Sequence, residues 1–348
     1  MSWLERRWYA SKPAPCWLFP LETLFKLLAQ RKKNKALELS WEAPVPVVVV
    51  GNISVGGTGK TPLVSYLVEL LKLEGFSPGV ISRGYRSSAP CYPFDVSQTD
   101  DVSQCGDEPY LIHQRSQCPV IIDANRVAAA QYLLEHYDCD VIISDDGLQH
   151  YRLGRDIEIA VIDGKRGLGN GHCLPAGPLR ESPHRLASVD FIVSNGPLCR
   201  EIADVDISEY TMQLEPQAFV SIDRSTQIPL SAFDTKSVHA IAGIGNPQRF
   251  FDTLRECSQS MITEHSFPDH HHYSESDLSF ADNNPVVMTE KDAVKASVFT
   301  LSDAWYLDVS AQLPDNFSVQ LLARLKTVLK NKGLKNKGLI NKGMKKNG

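Results

Sequence analysis

The 348-residue sequence has no C-x-x-C pair; its eight cysteines, at positions 16, 91, 105, 118, 139, 173, 199 and 257, are scattered. That scatter excludes a zinc ribbon or a paired redox motif and fits reduced thiols in a cytosol-facing protein. A surplus of positive charge is also missing. The formal net charge is −5, which argues against a general nucleic-acid binder. Acidic residues are in turn absent from Lys326 to Gly348, whose eight lysines leave −13 on the residues before them. The N-terminal region lacks an apolar run long enough to cross a bilayer. Between Trp17 and Ala29 the run is broken by Pro20, Glu22 and Lys26, whereas a span needs about 20 apolar residues. No small-residue cleavage site follows it, so it is a poor signal peptide. The length allows two domains with full cores.

What is present is organised around Val47 to Pro62, VVVVGNISVGGTGKTP. Four successive β-branched valines without alternation predict a strand of a parallel sheet, covered on both faces. A Gly-rich loop follows. Then Lys60-Thr61 opens a helical pattern of Leu63, Val64, Leu67, Val68, Leu70 and Leu71. Strand, glycine loop, Lys-Thr and helix in this order predict a phosphate-binding loop formed by Ser54, Val55, Gly56, Gly57, Thr58, Gly59, Lys60 and Thr61. The glycines let backbone N–H groups face phosphate oxygens, and the helix N-terminus adds its positive end. Lys60 is placed for the β/γ-phosphates of ATP and the Thr61 hydroxyl for Mg²⁺. One departure stands out: Ser54 occupies the position where the usual pattern has its first glycine.

A second anchor is DVIISDDG, residues 140–147. A hydrophobic strand ending in Asp145 and Asp146 places carboxylates beside the phosphate loop to serve Mg²⁺. Other strands are expected at GVISRGY (79–85, ending in a polar loop), VIID (120–123), GRDIEIAVID (154–163) and VDFIVSNG (189–196). Arg83 and Tyr85 close the first of these, at a strand's C-terminal end, where open α/β sheets place ligands. Arg126 near a helix start and Arg180-Glu181 after Pro178 are possible contacts for anionic groups, and Gln149 and His150 follow the acidic pair. In GDEP, residues 106–109, two carboxylates lie between Gly and Pro; taken alone they read better as an exposed turn feeding a helix with an acidic first turn, favoured by the dipole, than as a site.

Residues 1–35 carry Trp3, Trp8 and Trp17, with Leu21, Leu24, Phe25 and Leu28 on one helical face, followed by Arg31, Lys32, Lys33 and Lys35. This pattern fits a helix lying in a membrane interface and fits equally a helix packed on the protein's own core. Residues 205–236 alternate as linking strands, and VHAIAGIGNPQRFFDTLREC (238–257) reads as strand, turn and helix. In FPDHHHY (267–273) adjacent histidines point alternate ways and lack metal-ligand spacing, so one functional histidine is expected there. The tail is a low-complexity basic repeat, expected to be disordered. The expected class is α/β: a P-loop nucleoside-triphosphatase-type parallel sheet domain (36–204), linking strands (205–236) and a second, smaller α/β domain (237–330). An N-terminal arm (1–35) and a tail (331–348) flank them.

GNISVGGTGKTP, ISRGY, GDEP, DDGLQHYRLGRD, PAGPLRES, FPDHHHY and TEKD occur in the order found in tetraacyldisaccharide 4′-kinases. From about residue 45 to 295 the sequence resembles these lipid A pathway kinases of Gram-negative bacteria. The resemblance covers the serine at the first loop position. It implies transfer of the γ-phosphoryl of ATP to the 4′-hydroxyl of tetraacyldisaccharide 1-phosphate, at the cytoplasmic face of the inner membrane. Peripheral membrane contact comes from the arm, and no nucleic acid is involved. It also implies roles: Lys60 and the loop amides on the phosphates, Thr61 with Asp145 and Asp146 on Mg²⁺, Asp107 as base with His270 assisting, and Glu108 supporting them. Arg83, Tyr85, Arg126, His150, Arg180 and Glu181 then contact substrate or phosphate. The alternative is a membrane-associated P-loop ATPase switch, which shares the loop, the strand-end Asp and the arm but does not require GDEP or FPDH. A soluble small-molecule kinase is disfavoured by the arm.

Overall fold

The computed structural model describes residues 7–9, 14–199 and 207–334. Trp3 and the tail from residue 335 onward lie outside the described residues. A short 3-10 turn leads into α1 (Phe19–Glu38), which runs on through the basic cluster. Then β1 (Val47–Gly51) is followed by α2 (Lys60–Leu73), β2 (Pro78–Ser82), β3 (Phe94–Asp95), α3 (Asp107–Ser116), β4 (Val120–Ile122), α4 (Arg126–His136), β5 (Val141–Asp145), β6 (Ile157–Asp163) and β7 (Phe191–Asn195). β8 (Glu209–Ser221) and β9 (Gln227–Ile228) lead to β10 (Ser237–Ala242), α5 (Pro247–Cys257), β11 (Met261–Ser266), β12 (Val286–Thr289), α6 (Glu290–Ala296), β13 (Ala304–Gln312) and α7 (Asp315–Asn331).

The strands form one continuous sheet in the order β11-β10-β12-β13-β8-β7-β6-β1-β5-β2-β4-β3, with β9 beside β8. β1 lies between β5 and β6, parallel to both. Its alternate residues go to opposite faces, which is why the strand reads as unbroken valine. Val48 and Val50 pack with Leu63, Leu67 and Ile143. Val47 and Val49 pack with Ile142, Ala129 and Leu133. The first face is closed by α2 and also by α7, through Phe317, Leu321 and Leu325, so the last helix returns to the first half of the sheet.

β8 joins the two halves. Glu209–Met212 pairs parallel with β7, and Gln213–Ser221 continues past that edge to pair antiparallel with β13. β12 and β10 run parallel to β13. Because β8 overruns the first half, the second half stands above it with its own C-terminal strand ends turned back toward the first. The smaller half has its own core of Phe219, Val238, Phe251, Leu254 and Val287.

Candidate active site

The facing strand ends enclose a cavity of about 1130 Å³, and candidate site residues reach it from both halves. Gly51 ends β1, and the loop wraps to Gly59, which caps α2 in the left-handed region at φ +91°. A Cβ at Gly59 would lie 2.1 Å from Nδ2 of Asn195, so both the backbone sign and the space require glycine. Ser54 has no left-handed backbone, so glycine is dispensable there; it bridges instead to Leu179. Asn195 Nδ2 donates to the Thr58 carbonyl at 3.1 Å, and Val55 N–H donates to the Pro178 carbonyl at 2.9 Å. Gly56, Gly57, Lys60 and Thr61 line the cavity. Nothing lies within 4 Å of the Gly57 Cβ position, as a loop that receives phosphate needs.

Lys60 Nζ donates to Asn52 Oδ1 at 3.2 Å and lies 3.3 Å from Asp146 Oδ1. The strand register explains the second contact: Val50, just before the loop, faces Asp145 on β5. Asp145 is buried. Ser82 Oγ donates to its Oδ2 at 3.1 Å, while its Oδ1 has no hydrogen-bond partner. Burial first, then the nearby Glu108 and Asp146 charges, push its carboxyl up to about 7. Asp146, in the left-handed region at φ +50°, behaves oppositely. Burial works against its ionised form, but Lys60 and Arg180 prevail and hold it at about 2. Two neighbouring carboxyls are thus driven apart by what faces each.

The residues expected on the substrate side divide. Arg126 is buried, donates to the Asp123 carbonyl at 2.7 Å and the Asp145 carbonyl at 3.3 Å, and is lowered by burial to about 10. His150 is lowered by burial, and then by Arg126, to about 4, so it is neutral at physiological pH. Arg180 lies 3.5 Å from both Asp146 and Gln149. Glu181 has both oxygens engaged, by Gln149 Nε2 at 2.8 Å and by the Tyr151 hydroxyl, so it fixes neighbours within the wall. Arg83 and Tyr85 are exposed at the rim.

Across the cavity Asp107 and Glu108 open α3, whose first residue follows Gly106 at φ +84°. A Cβ at Gly106 would meet the Tyr85 carbonyl at 2.8 Å. The second half supplies His270, also left-handed at φ +59°. Its Nδ1 lies 3.0 Å from Asp107 Oδ2, and the Tyr85 ring meets it edge-on at 5.4 Å. Of its neighbours, His271 turns away to Asp277 at 3.4 Å, and among the described residues no group of three metal-ligating side chains occurs.

Lys291, the lysine of TEKD, lies 3.1 Å from Glu108, 3.5 Å from Asp269 and 3.4 Å from His270 Nε2. Burial lowers its pKa, but Glu108, Asp269 and Asp107 raise it further, leaving it above the usual range. Glu108 is correspondingly held below the ordinary carboxylate value: burial opposes ionisation, and Lys291 and Lys60 outweigh it. Sequence reasoning gave no role to Lys291, Asp269, Asn52 or Asn195. The available signal for Lys291 was its place two residues beyond a strand end, in the first turn of a helix.

A family model described as tetraacyldisaccharide-1-P 4′-kinase matches residues 14–326. The chain belongs to this family. It is 46% identical over 340 residues to the tetraacyldisaccharide 4′-kinase of Hahella chejuensis, covering 95% of this chain and 99% of that one. Against the enzyme of the same name from Nitrosococcus oceani it is 45% identical over 334 residues, covering 95% and 96%. The crystal structure of LpxK from Aquifex aeolicus in complex with ATP superposes with a TM-score of 0.73 at 27% identity, covering 88% of this chain and 98% of that one. The kinase cleft therefore belongs to a fold whose solved relative holds ATP.

Proposed function

We propose that the cleft transfers the γ-phosphoryl of ATP to the 4′-hydroxyl of tetraacyldisaccharide 1-phosphate, with the reacting groups supplied by both halves of the sheet. The observation that carries this reading is the 3.0 Å contact between Asp107 and His270, opposite the phosphate loop and inside the same cavity. Lys60 and the loop amides hold the β/γ-phosphates. Asp107 is held below the ordinary carboxylate range: burial opposes ionisation, and the His270 hydrogen bond, Lys295 and Lys291 outweigh it. It is ionised at neutral pH, with Oδ2 taken by His270 and Oδ1 left for the hydroxyl proton. Such a carboxylate is a weak base, which suffices when the transition state is loose and positioning carries most of the rate. Arg83, Tyr85, Arg126, His150 and Arg180 face the acceptor and its phosphate.

The donor set fits Mg²⁺. A buried carboxylate oxygen of Asp145 lacks a partner, Thr61 opens the adjacent helix, and hard oxygen ligands suit this ion. Asp145 and Thr61 would hold it, with Asp146 beside them, and it would neutralise charge on the transferring phosphoryl group.

The arm is read as a peripheral membrane contact at the cytoplasmic face. Among the described residues no helix is long and apolar enough to cross a membrane. Trp17, Leu21, Leu24, Leu27 and Leu28 are exposed, while Glu22 is the buried residue of α1. Its carboxylate accepts from Cys173 N–H at 2.9 Å and pairs with His172 at 3.0 Å, so Glu22 together with Phe25 docks the helix on the body and the leucines are left outward. Lys32 and Ala36 of the same helix line the cavity, which brings the acceptor's entry side to the lipid surface. The test is transfer from γ-labelled ATP, in detergent with magnesium, with and without the lipid disaccharide. Label in the glycolipid is expected; ATP hydrolysis indifferent to the acceptor would favour the nucleotide switch.

A further inference from the structure

Helix α3 carries Asp107 and Glu108 at its start and Arg115 near its end. Glu108 and Arg115 are seven residues apart, two helical turns, and so share a face. That face meets α6 of the second half, where Glu290 and Lys291 are adjacent. Lys291 pairs with Glu108 at 3.1 Å. Glu290 pairs with Arg115 through its guanidinium Nε. The two pairs therefore hold both ends of this α3 face against the start of α6.

Arg115 is engaged on every arm of its fork. Nη2 lies 2.5 Å from Asp308 Oδ1, and Nη1 donates to the Val309 carbonyl at 2.8 Å, at the bulge in β13. Arg224 adds a second cation on Glu290 at 3.2 Å. Two arginines therefore face two carboxylates, and all but Arg115 belong to the second half. Largely buried pairs of this kind add little net stability, because desolvation offsets the attraction, but they fix register.

We propose that Arg115 is a positioning residue: its fork on Glu290, Asp308 and the Val309 carbonyl sets the register of the second half on α3, so that His270 and Lys291 reach Asp107 and Glu108. The inference rests on the active-site reading above. Arg115 itself touches none of the reacting groups.

The test is a kinetic cycle on the full chain, with rates expressed per folded molecule. Arg115→Met is expected to lower kcat for the glycolipid by about 10- to 100-fold, the cost of a misplaced catalytic group, with the Kd for ATP within about twofold. In a His270→Ala, Lys291→Met background the same substitution is expected to change kcat by less than about twofold, because the groups it positions are gone. A merely structural arginine would cost the same factor in both backgrounds, which overturns the proposal, as does an unchanged kcat in Arg115→Met. If Arg115→Met does not fold, Arg115→Lys keeps the charge without the fork; an intermediate loss of kcat supports the proposal and an unchanged kcat overturns it. Full activity of the His270→Ala, Lys291→Met background by itself would instead refute the underlying active-site reading.

Discussion

His270 Nδ1 and Asp107 Oδ2 lie 3.0 Å apart although 163 residues separate them in the chain. On the other side of the same imidazole Lys291 Nζ approaches Nε2 at 3.4 Å. A lysine ammonium has only protons to offer. With Lys291 donating to Nε2, the ring proton sits on Nδ1, which donates its hydrogen bond to the Asp107 carboxylate. One tautomer satisfies all three groups, and it ties the carboxylate of the first half to the second.

Removing that imidazole affects chemistry before it affects nucleotide binding. His270→Ala is expected to lower kcat by about 10²-fold, in the range for loss of an assisting acid–base group, with the Kd for ATP within about twofold. Steady-state transfer and equilibrium ATP titration read the two separately. Equal loss of both would place His270 in the nucleotide site.

The raised carboxyl of Asp145 has a consequence for stability. Its folded value is about 7, against about 3.9 unfolded. The folded state binds the proton more tightly, so stability is full below about pH 4 and is lost as pH rises to about 7. Asp145→Asn cannot ionise and escapes that loss. In the absence of nucleotide and metal its Tm is expected above that of the wild type at pH 8, with the gap shrinking toward pH 4. The gap corresponds to on the order of 1–4 kcal/mol. A gap that grows as pH falls, or no gap at pH 8, would contradict the burial of an ionisable Asp145.

The outward face of α1 gives a third expectation. Leu24 and Leu28 are each more than half exposed, and burying one leucine contributes about 1.5–3 kcal/mol. Leu24→Glu with Leu28→Glu is expected to reduce sedimentation with anionic vesicles by more than about tenfold and leave ATP affinity unchanged. Undiminished sedimentation would remove α1 as the docking element.

The strand, glycine loop and helix around Val47 to Pro62 were legible because local rules and the fold agree there. Four valines need two covered faces, a Gly-rich turn needs left-handed backbone at Gly56 and Gly59, and strand ends carry ligands. The face of α1 was only half legible. Helical spacing grouped Leu21, Leu24, Phe25 and Leu28, but Phe25 turns in to the body while the leucines stay exposed. The anchor is the buried Glu22, a residue type that hydrophobic patterning cannot select. The Lys291 contacts were not legible either. They depend on β8 overrunning the first half and bringing a helix start 183 residues away onto Glu108, and no local pattern carries that distance. Nor does an amphipathic stretch say which core it joins, as α7 shows by packing under β1.

Transfer in a single turnover, with enzyme in excess over γ-labelled ATP and saturating tetraacyldisaccharide 1-phosphate, isolates the step assigned to Asp107. With Asp107→Ala the rate of label appearing in the glycolipid is expected to fall by about 10²–10⁴-fold, with ATP still bound at wild-type affinity. Label transferred at the wild-type rate by Asp107→Ala would contradict the assignment of the acceptor's proton to this carboxylate.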